Sequence, residues 1–188
     1  MRTVTNFIIT LAAVTLFAAC SNPQKTTETD AHEGRSHAAG ETHAETTEKG
    51  TAAAVNLKDD KLNAVYQHYV HLTNALVKGD VAEAKVAANA IELGAKDLAN
   101  GTSLASLVAK IGSATDIDAQ RIAYAELSTN FIERVKASGL SSGEVYVDYC
   151  PMALNDKGAS WLSNQKEIKN PYFGENMLAC GEVKETIQ

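Results

Sequence analysis

The sequence predicts a mainly α fold: a small up-and-down helical bundle, three long helices plus one short, with an irregular C-terminal β-hairpin and turn segment packed on it. Three observations carry this expectation. Apolar residues recur at three- and four-residue spacing from about position 57 to 138, the signature of helices with one buried side. Helix-stopping residues interrupt that run at Gly79, Asn100-Gly101 and Gly139, and the short connections imply antiparallel neighbours. Beyond Gly139 the period falls to two in Glu144-Val145-Tyr146-Val147-Asp148-Tyr149, which reads as a strand.

Each helix has its own signal. Leu62, Val65, Tyr69, Leu72 and Leu76 form the first stripe, which begins near Leu57 and ends at Gly79. Asp80 with Glu83 three residues on is a capping box, and Val81, Ala84, Ala88, Ile91, Ala95 and Leu98 follow as a heptad seam. Ser103 is placed to cap a short third helix carrying Leu104, Leu107, Val108 and Ile111. Thr115 or Asp116 starts a fourth with Ile117, Tyr124, Leu127, Phe131 and Val135 inside, closed by Gly139. In the tail, Asn155-Asp156-Lys157-Gly158 is a turn, and Ala159 to Ser163 returns as a second strand. Asn170-Pro171-Tyr172-Phe173-Gly174 is another turn, and Met177 to Val183 reads as a short compact end.

Ahead of this domain, assigned to residues 56–188, lie two segments of different character. Residues 1–19 read as a lipoprotein signal peptide: Arg2 is the positive end, and Phe7 to Ala19 is an apolar run too short for a permanent span. Leu16-Phe17-Ala18-Ala19-Cys20 resembles a lipobox, with Cys20 as the lipidation site that anchors the chain in a membrane of the cell envelope, facing the periplasm or in the outer membrane. Residues 20–55 are rich in Thr, Glu, Ala and His with almost no large apolar side chain, the composition of a disordered tether. The chain is acidic, with a net charge of −6, and no basic patch points to nucleic acid as a partner.

Sulfur is distributed unevenly. Apart from Met1 and Cys20, every Cys and Met lies in Cys150-Pro151-Met152 or in Met177-Leu178-Ala179-Cys180. Thiolates with thioethers make a soft donor set suited to Cu(I) or Ag(I). Cys150, Met152, Met177 and Cys180 are therefore the candidate metal ligands. If the first segment is a strand, Cys150 and Met152 point to one side. Met177 and Cys180, three apart, share a face of a helical turn. Trp161 lies between the pairs as a shield for the ion or as core packing. His68 and His71, one helical turn apart, are secondary metal candidates, as are His32, His37 and His43 in the tether. The competing expectation is a Cys150–Cys180 disulfide, favoured by an oxidising compartment and worth roughly 3 to 4 kcal/mol by loop-closure entropy. No redox Cys-x-x-Cys, nucleophile elbow, phosphate loop or zinc-protease helix is present, so no enzyme is expected.

Several motifs stand together in order. Tyr69-x-x-Leu72, Ala75-Leu76 and Asp80 mark the first hairpin; Ala119-Gln120-Arg121 and Leu127-Ser128 mark the last helix. In the tail follow Cys150-Pro151-Met152-Ala153, Gly158-Ala159-Ser160-Trp161-Leu162, Asn170-Pro171-Tyr172-Phe173-Gly174 and Met177-Leu178-x-Cys180-Gly181. From about Leu62 to Ile187 the chain thus resembles a domain-of-unknown-function family of exported bacterial proteins, found as lipoproteins and fused to periplasmic adaptor subunits of heavy-metal efflux pumps. The resemblance implies copper or silver handling and a heavy-metal efflux adaptor or pump as partner. Cys-Pro-Met is also similar to the core of short heavy-metal-binding modules, but Ala153 stands where those modules carry a histidine.

Two functions follow as expectations. One is a membrane-anchored lipoprotein that binds Cu(I) or Ag(I) for scavenging or delivery to an efflux system. The other is a disulfide-stapled interaction module without a metal, docking on an envelope or efflux-pump partner.

Overall fold

The computed structural model describes residues 54–188. The expected signal peptide, Cys20, most of the tether and His32, His37 and His43 lie outside the described residues. The chain runs β1 (Asn56–Leu57), α1 (Asp60–Lys78), α2 (Val81–Ala95), α3 (Gly101–Ser113), α4 (Ile117–Ser138), β2 (Leu140–Ser142), β3 (Val145–Cys150), β4 (Ala159–Ser163) and β5 (Glu182–Ile187). Each helix packs on the next in sequence and α4 returns to α1, as short connections require. The fold is mostly helical with small sheets.

Local chemistry explains the helix ends. The Asp59 carboxylate accepts from the Lys61 and Leu62 amides, Asp80 from Glu83 and Asp116 from Ala119, each satisfying donors the helix leaves free. The capping box at Asp80 is only half made. Glu83 turns to His71 instead, with Oε1 2.7 Å from Nε2, and the Asp80 amide donates to the Ala75 carbonyl. Leu57, expected in the first helix, sits in β1, which pairs with β2 and closes the helical region between its two ends. Ser103 does not cap α3: the helix starts at Gly101 after a left-handed Asn100, and its hydroxyl donates back to the Asn100 carbonyl. A side chain at Gly101 would overlap the Ala95 carbonyl oxygen, so the chain turns there through the one residue that fits.

The predicted stripe of α1 is buried throughout: Leu62, Val65, Tyr69, Leu72 and Leu76. Tyr124, Leu127, Phe131 and Val135 of α4 face it from across the bundle, with Tyr69 stacked on Tyr124 and Phe131. The hydroxyls inside this core are mutually satisfied. Tyr69 meets Ser128 at 2.5 Å and Tyr124 at 2.8 Å, Thr73 meets Tyr124 at 2.7 Å, and the Leu162 amide donates to the Tyr69 oxygen at 3.0 Å. That last bond ties β4 directly to α1.

The tail is more regular than its sequence suggests. β3 is the centre of a three-stranded antiparallel sheet in the order β4-β3-β5, with Asp148 opposite Trp161 and Cys150 opposite Ala159. The expected irregular hairpin thus gains a third strand, Glu182–Ile187, whose polar alternation hid it: Glu182, Lys184, Glu185 and Thr186 are exposed on an edge strand. An extra residue near Lys184 shifts the β3–β5 register, a bulge that also discourages edge-to-edge pairing. The turn after β3 holds Leu154, Asn155 and Asp156 in the left-handed region in succession, before Gly158 at φ +78°.

Candidate functional site

The sulfur-bearing segments meet at the end of β3. Cys150 is the last residue of that strand and fully buried, while Cys180 lies just ahead of β5 and is half-buried. Their Sγ atoms are 2.7 Å apart, thirty positions distant in sequence. This is about 0.7 Å beyond the length of a disulfide bond. The hydrogen bond between the two thiols, with burial and Cys150's proximity adding to it, pushes the Cys180 thiol up to about 11.

The methionines take different places. Met152 falls beyond the end of β3 and is 46% exposed, so strand alternation does not carry it to the side of Cys150, and that expectation is corrected. The reason is Pro151: it lacks an amide donor, and the chain leaves the ladder there for the turn at 151–157. Met177 ends a short 3₁₀ turn, Gly174–Met177, and is half-buried. The Cys180 amide donates to the Met177 carbonyl at 3.1 Å, so these two residues close one tight turn. Among the described residues no group of three or more His, Cys, Asp or Glu side chains is arranged to hold a metal ion. His68 is exposed on α1 and His71 is engaged with Glu83.

Around the thiol pair the tail motifs turn out to be clamps. Asn170 is buried: its side-chain amide donates to the Cys180 carbonyl at 2.7 Å, and its oxygen accepts from the Tyr172 and Phe173 amides. Its backbone amide donates to the Leu178 carbonyl at 2.8 Å. Arg121 of α4 donates to the Pro171 carbonyl at 2.9 Å and to the Leu76 carbonyl at 3.2 Å, joining the tail to two helices. At Gly174, φ +59°, a side chain would press within 2.7 Å of both Arg121 and the Val77 carbonyl, which is why that motif ends in glycine. Trp161 is 1% exposed, edge-on to Tyr172 at 5.9 Å, and its ring approaches Gly181 next to Cys180. It packs the floor beneath the tail.

One buried polar group escaped the sequence reading. Asp148 is fully buried in the central strand, and neither carboxylate oxygen has a hydrogen-bond partner within the protein. Burial pushes its carboxyl up to about 7. The available signal was an acid in the middle of an apolar strand, at the same parity as Cys150. Gln120 and Arg121 gave no signal beyond their motif, because their partners are backbone carbonyls far away in sequence.

The family described as "Protein of unknown function (DUF3347)" matches residues 65–143. The match spans most of α1 through β2, in keeping with a domain of unknown function, and ends before the sulfur-bearing segments. No curated protein matches the chain, and no solved structure does.

Proposed function

We propose that this protein is a membrane-tethered, non-enzymatic lipoprotein whose reduced Cys150–Cys180 pair takes up one Cu(I) or Ag(I) ion as cargo, for scavenging or for delivery to an efflux system. The contact between the two cysteine sulfurs, at 2.7 Å, is the observation that supports it. Thiolates are the soft donors such ions select. With metal–sulfur bonds of about 2.3 Å, an ion gripped by both thiolates needs sulfurs roughly 4 Å apart. The pair must therefore open by about an ångström, a movement that falls on Cys180 in its turn because Cys150 is held in the sheet. Met152 and Met177, each within three residues of a cysteine, are the thioethers available to complete the set. Uptake displaces the thiol protons, so affinity should fall as pH drops.

The same short contact supports a second reading, in which the pair is oxidised to a disulfide and the domain is a stapled module docking on an envelope or efflux-pump partner. Forming that bond removes two electrons and two protons from the thiols and requires an external oxidant. One experiment separates the two. Residues 21–188 are prepared without reductant, free thiols are counted, and Cu(I) binding is measured anaerobically before and after reduction. Tight one-to-one binding that Cys150→Ser abolishes supports the metal site. Binding that survives Cys150→Ser removes it, and a full disulfide with no uptake even after reduction leaves the stapled module.

A further inference from the structure

Helix α2 is apolar on two opposite sides. Its inner side carries Ala84, Ala87, Ala88, Ile91 and Ala95, all buried. Ala82, Val86, Asn89 and Leu93 follow at steps of four, three and four, the spacing of a coiled-coil seam, and 3.6 residues per turn places them diametrically opposite that inner side. All four are exposed, Val86 at 57% and Leu93 at 63%. A helix apolar on both sides is ordinarily covered on both sides. Among the described residues, α1 and α3 cover only one.

Charge selects the occupant. Lys85 and Glu92 lie on the same flank of the outer seam, one heptad apart, and neither forms an ion pair among the described residues. When two copies of α2 run antiparallel across a two-fold axis, this flank meets itself. Lys85 of each copy then faces Glu92 of the other, and the large Leu93 lies against the small Ala82. A parallel pairing would set Lys85 beside Ala90 and leave both charges without partners.

We infer that the outer side of α2 is a homodimer interface, joining two copies of this chain antiparallel through Val86, Leu93 and reciprocal Lys85–Glu92 pairs. The inference is independent of the sulfur site. Its test is sedimentation equilibrium of residues 21–188 under reducing conditions, which prevents cross-linking through Cys180. The expected result is a dimer that dissociates on dilution and weakens as salt rises. Leu93→Glu should raise its dissociation constant at least about tenfold, and Lys85→Glu should weaken it by like-charge contact. The double exchange Lys85→Glu with Glu92→Lys should restore it. Circular dichroism on the same samples checks that these variants keep their helices. A chain monomeric at every concentration, or a dimer indifferent to all three variants, overturns the interface; weakening by Lys85→Glu without rescue by the exchange overturns the antiparallel pairing.

Discussion

The helical region and the tail are held together by different physics. Between α1 and α4 the contacts are mostly aliphatic and aromatic: small residues of α2 let the helices approach, and Tyr69, Tyr124 and Phe131 fill the centre. Away from the hydroxyl network of Tyr69, Ser128, Tyr124 and Thr73, such a core tolerates changes of shape that preserve volume. In the tail, by contrast, Asn170, Arg121 and Tyr172 each bond named backbone carbonyls, and Gly174 leaves no room for a side chain. A bond to one particular carbonyl has no substitute of similar volume. The bundle is a scaffold with redundancy, and the tail is a set of individually needed clamps that bring Cys180 to Cys150.

The sharpest way to break that contrast is at the floor the two regions share. Trp161→Ala should cost about 3–5 kcal/mol of stability, read as a loss in the denaturant midpoint, and should raise the reactivity of Cys180 toward thiol reagents. A smaller loss confined to stability, with Cys180 unaffected, would mean that the tail holds itself.

The next effect is a pH dependence located in the sheet. Burial raises the Asp148 carboxyl to about 7 in the folded protein, against an ordinary value of 3.8. Between those two values the unfolded chain has lost this proton and the folded protein keeps it, so stability should fall as pH rises from about 4 to 7 and level off above. Asp148→Asn should flatten this part of the profile, measured as the thermal midpoint against pH. An unchanged slope would place its origin in another group.

Asn170→Ala should cost about 1–3 kcal/mol, since it leaves the Cys180 carbonyl and two amides without their partner. Local hydrogen exchange should rise around Leu178 and Tyr172 more than in α2. The smallest change is expected for Ile91→Val in the bundle, about 0.5–1.5 kcal/mol, with no effect on the thiols. Equal sensitivity of Cys180 to Asn170→Ala and Ile91→Val would erase the distinction between the regions.

Much of the bundle was legible beforehand because helix signals are short-range. The α1 stripe, the Asp80 and Asp116 caps and the stops at Gly79 and Gly139 all depend on residues within about one turn of one another. Misreadings came where a residue had a distant alternative. Leu57 joined β2, which lies beyond all four helices in sequence, and Glu83 left its capping box for His71 on the neighbouring helix. β5 was missed because an exposed, bulged edge strand carries charges where a buried one carries apolar residues.

The candidate site divides along the same line. Its sulfurs were plain from composition, and alternation in Val145–Cys150 placed Cys150 on a strand. Met152 was misassigned because Pro151 ends the ladder at Cys150, two residues earlier than the alternation suggested.

By itself the sequence determined four amphipathic helices, the Asp80 and Asp116 caps, the breaks at Gly79 and Gly139, a strand leading into Cys150, and a confinement of sulfur to two segments. Those properties come from periodicity, capping and composition, which act within a few residues. Only the tertiary structure decided that Cys180 lies against Cys150, that Met152 faces solvent, and that Asp148 is buried without a partner. Those outcomes depend on which strand pairs with β3 and on how Arg121 and Asn170 anchor the tail, contacts whose closure entropy is offset only when the whole domain packs at once.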